Sequence, residues 1–343
     1  MSVAGRIVRI SPAAAIPGGE VAVECESFDM SRVRQCRVWF DAVAADRLTA
    51  VSSRRVLAIV PDLRFGGPVD VSLDNGTEHS EAALFVVGAK LAEDLHPVAN
   101  PAFDPDDGSL YVTRSGARGQ ELPVTIYRLD AKGKLADFSG DITNPTGIAF
   151  DGSGQMYVTS RLEGTVYRVS PFKGSVPVAT NLGVATGIAF DREGRLYVGD
   201  RTGTIYRLNS IGEAIPFAQL EPSVSAYHLA FGPDDALYVT GPTVSSFDAV
   251  MRIDQSGAAS DFYRGLGRPQ GLAFDRAGNL YVAASLRGRR GIVRISPDGR
   301  EAELVVGGMN VVGLAFGPGG EMVVVTNEAV YSLALGIQGT LLR

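Results

Sequence analysis

The chain is poor in the side chains that most often carry chemistry. Among 343 residues there are two cysteines, three histidines and one tryptophan. Two cysteines with His79, His96 and His228 give no recognisable zinc spacing, and so few imidazoles leave little room for a Ser-His-Asp arrangement. A G-x-S-x-G elbow, a P-loop, H-E-x-x-H and a G-x-G-x-x-G following a strand are all missing. No eighteen consecutive apolar residues occur, so no transmembrane helix and no membrane partner are expected. The start, MSVAGRIVRISPAAAIPGG, lacks the unbroken apolar centre of a secretory leader, and a cytoplasmic protein is the expectation. Basic charge is not in excess either. A net charge of −6 argues against a nucleic-acid partner, which needs a cationic surface to neutralise phosphates.

What is plentiful is apolar residues, 45% of the chain, and glycine, 41 residues, which suits a fold with many tight turns. In V-A-V-E-C, Cys25 shares a strand face with Val21 and Val23. In C-R-V-W-F, Cys36 shares one with Val38 and Phe40. Both cysteines therefore face inward, either as two buried thiols or as a disulfide.

The strongest pattern is a repeat. GIAFDGSGQMYV at Gly147 returns as GIAFDREGRLYV at Gly187, HLAFGPDDALYV at His228, GLAFDRAGNLYV at Gly271 and GLAFGPGGEMVV at Gly313. A first, longer copy, NPAFDPDDGSLYV, begins at Asn100. The anchoring phenylalanines are Phe103, Phe150, Phe190, Phe231, Phe274 and Phe316, spaced 40 to 47 residues apart. The copies hold a short apolar run, an Asp/Gly turn, an alternating run such as L-Y-V-T, a third strand that reads T-x-Y-R in three copies and less fully in Val250–Ile253 and Ile292–Ile295, and a more variable fourth strand. Four strands per copy with no helical periodicity predict an all-β, six-bladed β-propeller over 89–343. The last copy runs out after three strands. Lys90–Leu95, just ahead of the first copy, is expected to supply the fourth and close the ring.

Residues 1–88 lack the repeat. Short alternating runs separated by P-G-G, F-G-G-P and D-N-G predict a small immunoglobulin-like β-sandwich. Asn75-Gly76-Thr77 matches a glycosylation acceptor but reads better as a tight turn.

Two family resemblances rest on these residues. I-x-x-I-S-P at Ile7–Pro12, V-x-V-E-C-E-S-F at Val21–Phe28 and V-W-F-D-x-V-x-A at Val38–Ala45 resemble the IPT/TIG family, which implies a scaffold or interaction module. The P-T-G-I-A-F-D-x-x-G-x-M-Y-V run resembles NHL repeats, and through them the gluconolactonase and streptogramin-lyase propellers. That resemblance implies fold more than function. The lactonase-like relatives hold a divalent cation with carboxylates and amides four residues before each anchoring phenylalanine. Here that column reads Ala99, Thr146, Thr186, Tyr227, Gln270 and Val312, with no carboxylate and one amide. No metal and no cofactor are expected, because a hard cation needs several oxygen ligands. The lyase-like relatives use a histidine near the channel. His228 stands where four copies have Gly, either as a general base or as a structural imidazole.

The repeated Arg128, Arg168, Arg207, Arg252 and Arg294 read as strand ties to Asp151, Asp191 and Asp275 or to backbone carbonyls. Arg287-Gly288-Arg289-Arg290 reads as a solvated loop tip, or as a contact for an acidic partner. The expectation is a non-catalytic binding or scaffold protein for a protein or small-molecule ligand, with Asn100, Tyr227, His228 and Gln270 lining the channel and no catalytic residues. The alternative is a lactonase-like or lyase-like enzyme with its site in the same channel.

Overall fold

The computed structural model describes residues 5–29, 35–117, 120–209, 212–245 and 247–340. The outer ends of both expected modules, 1–4 and 341–343, lie outside these. All regular structure among the described residues is β, and no helix is long and apolar enough to cross a membrane.

From Ala102 onward each of the first five copies of the repeat supplies four antiparallel strands in chain order. Ala102–Phe103, Leu110–Thr113, Ile126–Leu129 and Leu135–Ser139 form the first. Pro145–Phe150 opens the next, then Ala185–Phe190, His228–Phe231 and Leu272–Phe274. Each of these innermost strands touches the following one, and Ala102–Phe103 touches both Val311–Phe316 and Pro145–Phe150, so the series closes on itself as a propeller. The expected closing pair is present. Ala89–Ala92 lies antiparallel to Val330–Leu333, with Lys90 opposite Tyr331, and the Leu95 amide donates to the Glu328 carbonyl. The last sheet thereby gains its fourth strand from the segment ahead of the first, and that pairing covers an otherwise open edge.

Neighbouring sheets are joined by one recurring aromatic contact. The tyrosine of each L-Y-V or M-Y-V run meets the anchoring phenylalanine of the next copy. Tyr157 faces Phe190, Tyr197 faces Phe231, Tyr238 faces Phe274 and Tyr281 faces Phe316, all edge-to-face with centroids 4.9–5.1 Å apart. Tyr111 and Phe150 make a looser, tilted version at 5.8 Å. Such geometry aims the positive edge of one ring at the negative face of the other. The last copy has Val323 instead of tyrosine, so Phe103 packs there without a ring partner.

The D-x-x-G turns are self-contained. Asp151 Oδ1 accepts from the amides of Ser153 and Gln155, Asp191 Oδ1 from Arg195, and Asp275 Oδ1 from Asn279. This corrects the expectation that these aspartates receive the arginine column, because an Asp at a turn start satisfies its own backbone first. Three of the five arginines instead take other acids nearby: Arg128 pairs with Asp107 at 2.6 Å, Arg252 with Asp234 at 2.8 Å, and Arg294 with Glu303, while Arg207 lies over the Phe217 ring at 5.7 Å.

Ahead of the ring, Arg6–Ser11, Glu20–Glu26, Arg55–Ile59 and Arg47–Ser52 form one sheet. Ala83–Val87, Gly67–Asp74, Arg37–Phe40 and Val43–Ala44 belong to a second. The inward faces share one core that includes Val21, Val23, Val38, Phe40, Leu73 and Phe85. Cys25 and Cys36 are buried in it as thiols without a disulfide. Asn75 Oδ1 accepts from the amides of Thr77 and Glu78, so it serves its own turn.

The two-residue strand Ala14–Ala15 joins the two parts. It runs parallel to Val86–Val87 on one side and to Val306–Gly307 of the ring on the other. The Ile16 amide donates to the Gly307 carbonyl at 2.9 Å, and Ile16 packs with Tyr281, Phe316 and Tyr331 of the ring. A Cβ on Gly19 would lie 2.5 Å from that same carbonyl, so only glycine allows this approach. Arg289 is not a solvated tip. It donates to the carbonyls of Ser11 at 2.6 Å and Glu20 at 3.3 Å, because the front sheets shield it from water and supply acceptors.

Candidate functional site

The innermost strands bring Asn100, Tyr227 and His228 to one small cavity on the propeller axis, together with Gly147, Thr186 and Gly187. Its volume is about 20 Å³, room for roughly one water molecule. Backbone approaches backbone here. A Cβ on Gly187 would lie 2.7 Å from the Tyr227 carbonyl, and one on Gly313 would lie 2.8 Å from the Ala99 carbonyl. The glycine column is thus a packing requirement of the axis.

Asn100 and His228 break that column in different ways. The Asn100 amide donates to the Leu272 carbonyl at 2.9 Å and accepts from the Leu314 amide at 3.0 Å, so it bridges two innermost strands. Both ends of the side chain are in use. His228 is 4% exposed. Burial alone drives its pKa from 6.5 down to about 4, so the imidazole is neutral at neutral pH.

Tyr227 points away from the axis. Its amide donates to Thr186 Oγ1 at 3.0 Å, its hydroxyl donates to the Glu221 carbonyl, and its ring fills the space left by Gly199 and Gly241. Burial is the main reason its hydroxyl is pushed far above the usual phenol range. Gln270 stands apart from the axial cavity. Its amide donates to Ala283, and its carbonyl accepts from Thr240 Oγ1.

That last bond belongs to a series the sequence did not make obvious. Thr113 Oγ1 donates to the Thr146 carbonyl at 2.8 Å, and Thr159 Oγ1 donates to the Thr186 carbonyl at 2.8 Å. The threonine closing an L-Y-V-T run thereby ties its sheet to the next through the residue four before the anchoring phenylalanine. The backbone carbonyls of Thr146, Thr186 and Gln270 in that column are used here for stitching.

A metal does not fit these residues. In that column Thr186 Oγ1 is already committed, to the Tyr227 amide and the Gly199 carbonyl. Thr146 Oγ1 is buried and without a hydrogen-bond partner among the described residues, but one neutral hydroxyl cannot replace the hydration shell of a hard cation. Asp200, a buried acid that acts coulombically on Tyr227, was missed from the sequence, and only its burial beside a turn reveals it. Its oxygens accept from the amides of Val184 and Thr202 and from the Thr202 hydroxyl, so it caps a loop. Among the described residues no group of three or more His, Cys, Asp or Glu is placed to hold a metal.

Comparison with known proteins agrees with the architecture. A family model described as strictosidine synthase-like, N-terminal, matches residues 187–208. No curated protein matches the chain. Among solved structures, a gluconolactonase from Xanthomonas campestris is 16% identical with a TM-score of 0.58, over 72% of this chain and 88% of its own. The virginiamycin B lyase from Staphylococcus aureus is 17% identical with a TM-score of 0.52, over 71% and 85%. An auxiliary nutrient binding protein from Bacteroides ovatus is 14% identical with a TM-score of 0.55, over 97% and 98%. At these identities the likeness shows the fold alone: this is an all-β chain of propeller architecture.

Proposed function

We propose that the chain is an IPT/TIG-like immunoglobulin-type sandwich over 1–88 followed by a six-bladed NHL-type propeller over 89–343, and that it works as a non-catalytic binding protein for a protein or small ligand. One observation carries this reading. The small cavity at the axis has about 20 Å³ of space, and the Asn100 side chain that lines it is already spent on joining two strands. A solved structure that matches nearly the full length of both chains, the B. ovatus protein, is described as a nutrient binding protein, which supports the same reading.

A second reading is an enzyme of the lactonase or lyase kind. The likeness to a gluconolactonase and to a streptogramin-type lyase favours it more than it favours a scaffold. In that reading His228, neutral near pH 7, is the one residue available as a base, and Asn100 and Tyr227 are its neighbours.

The two readings separate in one assay. Purified protein is incubated with glucono-1,5-lactone or a streptogramin B, with and without Ca²⁺ and Mg²⁺. The binding reading predicts no rate above buffer. Turnover that disappears in His228→Ala would establish the enzyme.

A further inference from the structure

A larger cavity lies away from the axis, between the sheet that ends at Gln219 and the sheet that begins at His228. It measures about 390 Å³, within the range of small-molecule sites. Leu220, Val239 and Met251 form apolar wall, and Phe247, 67% exposed, stands at the rim. Gly241, Thr243, Ser245 and Phe247, from the stretch ahead of Asp248, line it. In sequence this stretch, G-P-T-V-S-S-F, is longer than the R-L-E-G at 161–164 of the second copy, and no other copy repeats it.

Asp248 lines the cavity and is 3% exposed. Thr243 holds one carboxylate oxygen, donating to Oδ1 from its amide at 3.0 Å and from its hydroxyl at 2.7 Å. The other oxygen, Oδ2, is buried and has no hydrogen-bond partner among the described residues. A buried carboxylate with one oxygen unserved is costly, and native structures normally avoid it. The position is also peculiar to this copy. Its counterparts ahead of the T-x-Y-R strand are Val124, Gly164, Gly203, Arg290 and Glu328. Structural needs repeat around a propeller, and this one does not.

The remaining charges sharpen the chemistry. Asp261 and Arg264, both lining the cavity, neutralise each other at 2.7 Å. Asp248 and Glu221 are left, and among the described residues no other cation lines the cavity. We propose that this cavity is a binding site for a small organic cation, an alkyl- or arylalkyl-ammonium, whose N–H donates to Asp248 Oδ2 while its apolar part rests on Met251, Val239 and Phe247. The ammonium supplies both the missing donor and the balancing charge, and a charge-assisted bond of this kind is among the stronger polar contacts. The site shares Tyr227 with the axial cavity but none of its other lining residues, and would serve a binding protein or an enzyme alike.

The test uses the full chain with ¹³C-methyl-labelled methionine, titrated with 2-phenylethylammonium chloride to millimolar concentration and, separately, with 2-phenylethanol. Met251 is assigned by Met251→Leu. The expected result is a saturable shift of the Met251 methyl, with Met156 and Met322 unmoved, and binding at least tenfold weaker for the alcohol and for Asp248→Asn. Should Asp248→Asn not give a folded spectrum, Phe247→Ala at the exposed rim replaces it and is expected to weaken binding severalfold. No Met251 shift, equal binding of amine and alcohol, or undiminished binding by the folded variant would overturn the proposal.

Discussion

The Arg289 guanidinium donates to the Ser11 carbonyl at 2.6 Å, tying the start of the propeller strand Arg289–Ile295 to the first strand of the front sheets. Burial pushes its pKa down, and Arg55 nearby adds to that, so the side chain stays in place through its acceptors. Removing it leaves the Ser11 and Glu20 carbonyls without that donor. Arg289→Ala should lower the free energy of unfolding by about 1–3 kcal/mol, the range for hydrogen bonds to a charged group. Arg289→Lys should recover only part, because the ammonium is a more strongly hydrated point charge and loses more on burial than a guanidinium. Urea denaturation measures both, and an unchanged midpoint would refute the tie.

The aromatic seam predicts an uneven ring. Phe274 packs edge-to-face on Tyr238 at 4.9 Å, whereas Phe103 faces Val323 and Ala315. Phe274→Leu should therefore cost about 0.5–1.5 kcal/mol more than Phe103→Leu, the excess assigned to a ring pair beyond its buried area. Chemical denaturation of the two variants side by side checks the difference. Equal costs would mean the ring pairs add nothing specific.

His228 predicts a pH dependence with a definite sign. Its folded pKa, about 4, lies below its ordinary 6.5, so below pH 6.5 the unfolded chain binds more protons. The stability it contributes is complete above pH 6.5 and is lost as pH falls toward 4, by on the order of 3 kcal/mol in all. His228→Asn should flatten the pH dependence across that window. Denaturant melts at pH 7 and pH 4.5 on both proteins test this, and an identical slope would show that the imidazole is not buried neutral.

Cys25 and Cys36 should be silent thiols. Burial raises the pKa of both, chiefly by desolvating the thiolate. Ellman's reagent should titrate two thiols in denaturant and react slowly with the native protein. Fast native reaction, or fewer than two thiols on unfolding without reductant, would contradict this.

How far the sequence reached depends on which physical signal each feature leaves. The copies around Phe150, Phe190 and Phe274 were readable because every sheet needs the same inner strand and the same turn. The closing segment at Lys90 was readable because a three-stranded last copy leaves an edge that must be paired. The junction was not. Ala14–Ala15 is two residues long, too short to show alternation, and both its partners are remote in the chain. Arg289 looked like a loop charge because nothing local names Ser11 as its acceptor. At the axis, Asn100 and His228 stood out as departures from a glycine column, but the bonds that occupy Asn100 come from residues 272 and 314. Asp248 escaped notice because burial distinguishes it from a surface acid, and burial is a property of the fold.

Thermal denaturation with Ca²⁺, Mg²⁺ or Mn²⁺ at about millimolar concentration tests the non-catalytic reading most directly. A ligand present at about 100 times its Kd would stabilise the folded chain by about 2.7 kcal/mol, enough to raise Tm by several degrees. The axis described here predicts no such rise with any of the three cations. A reproducible increase that a chelator reverses would contradict it.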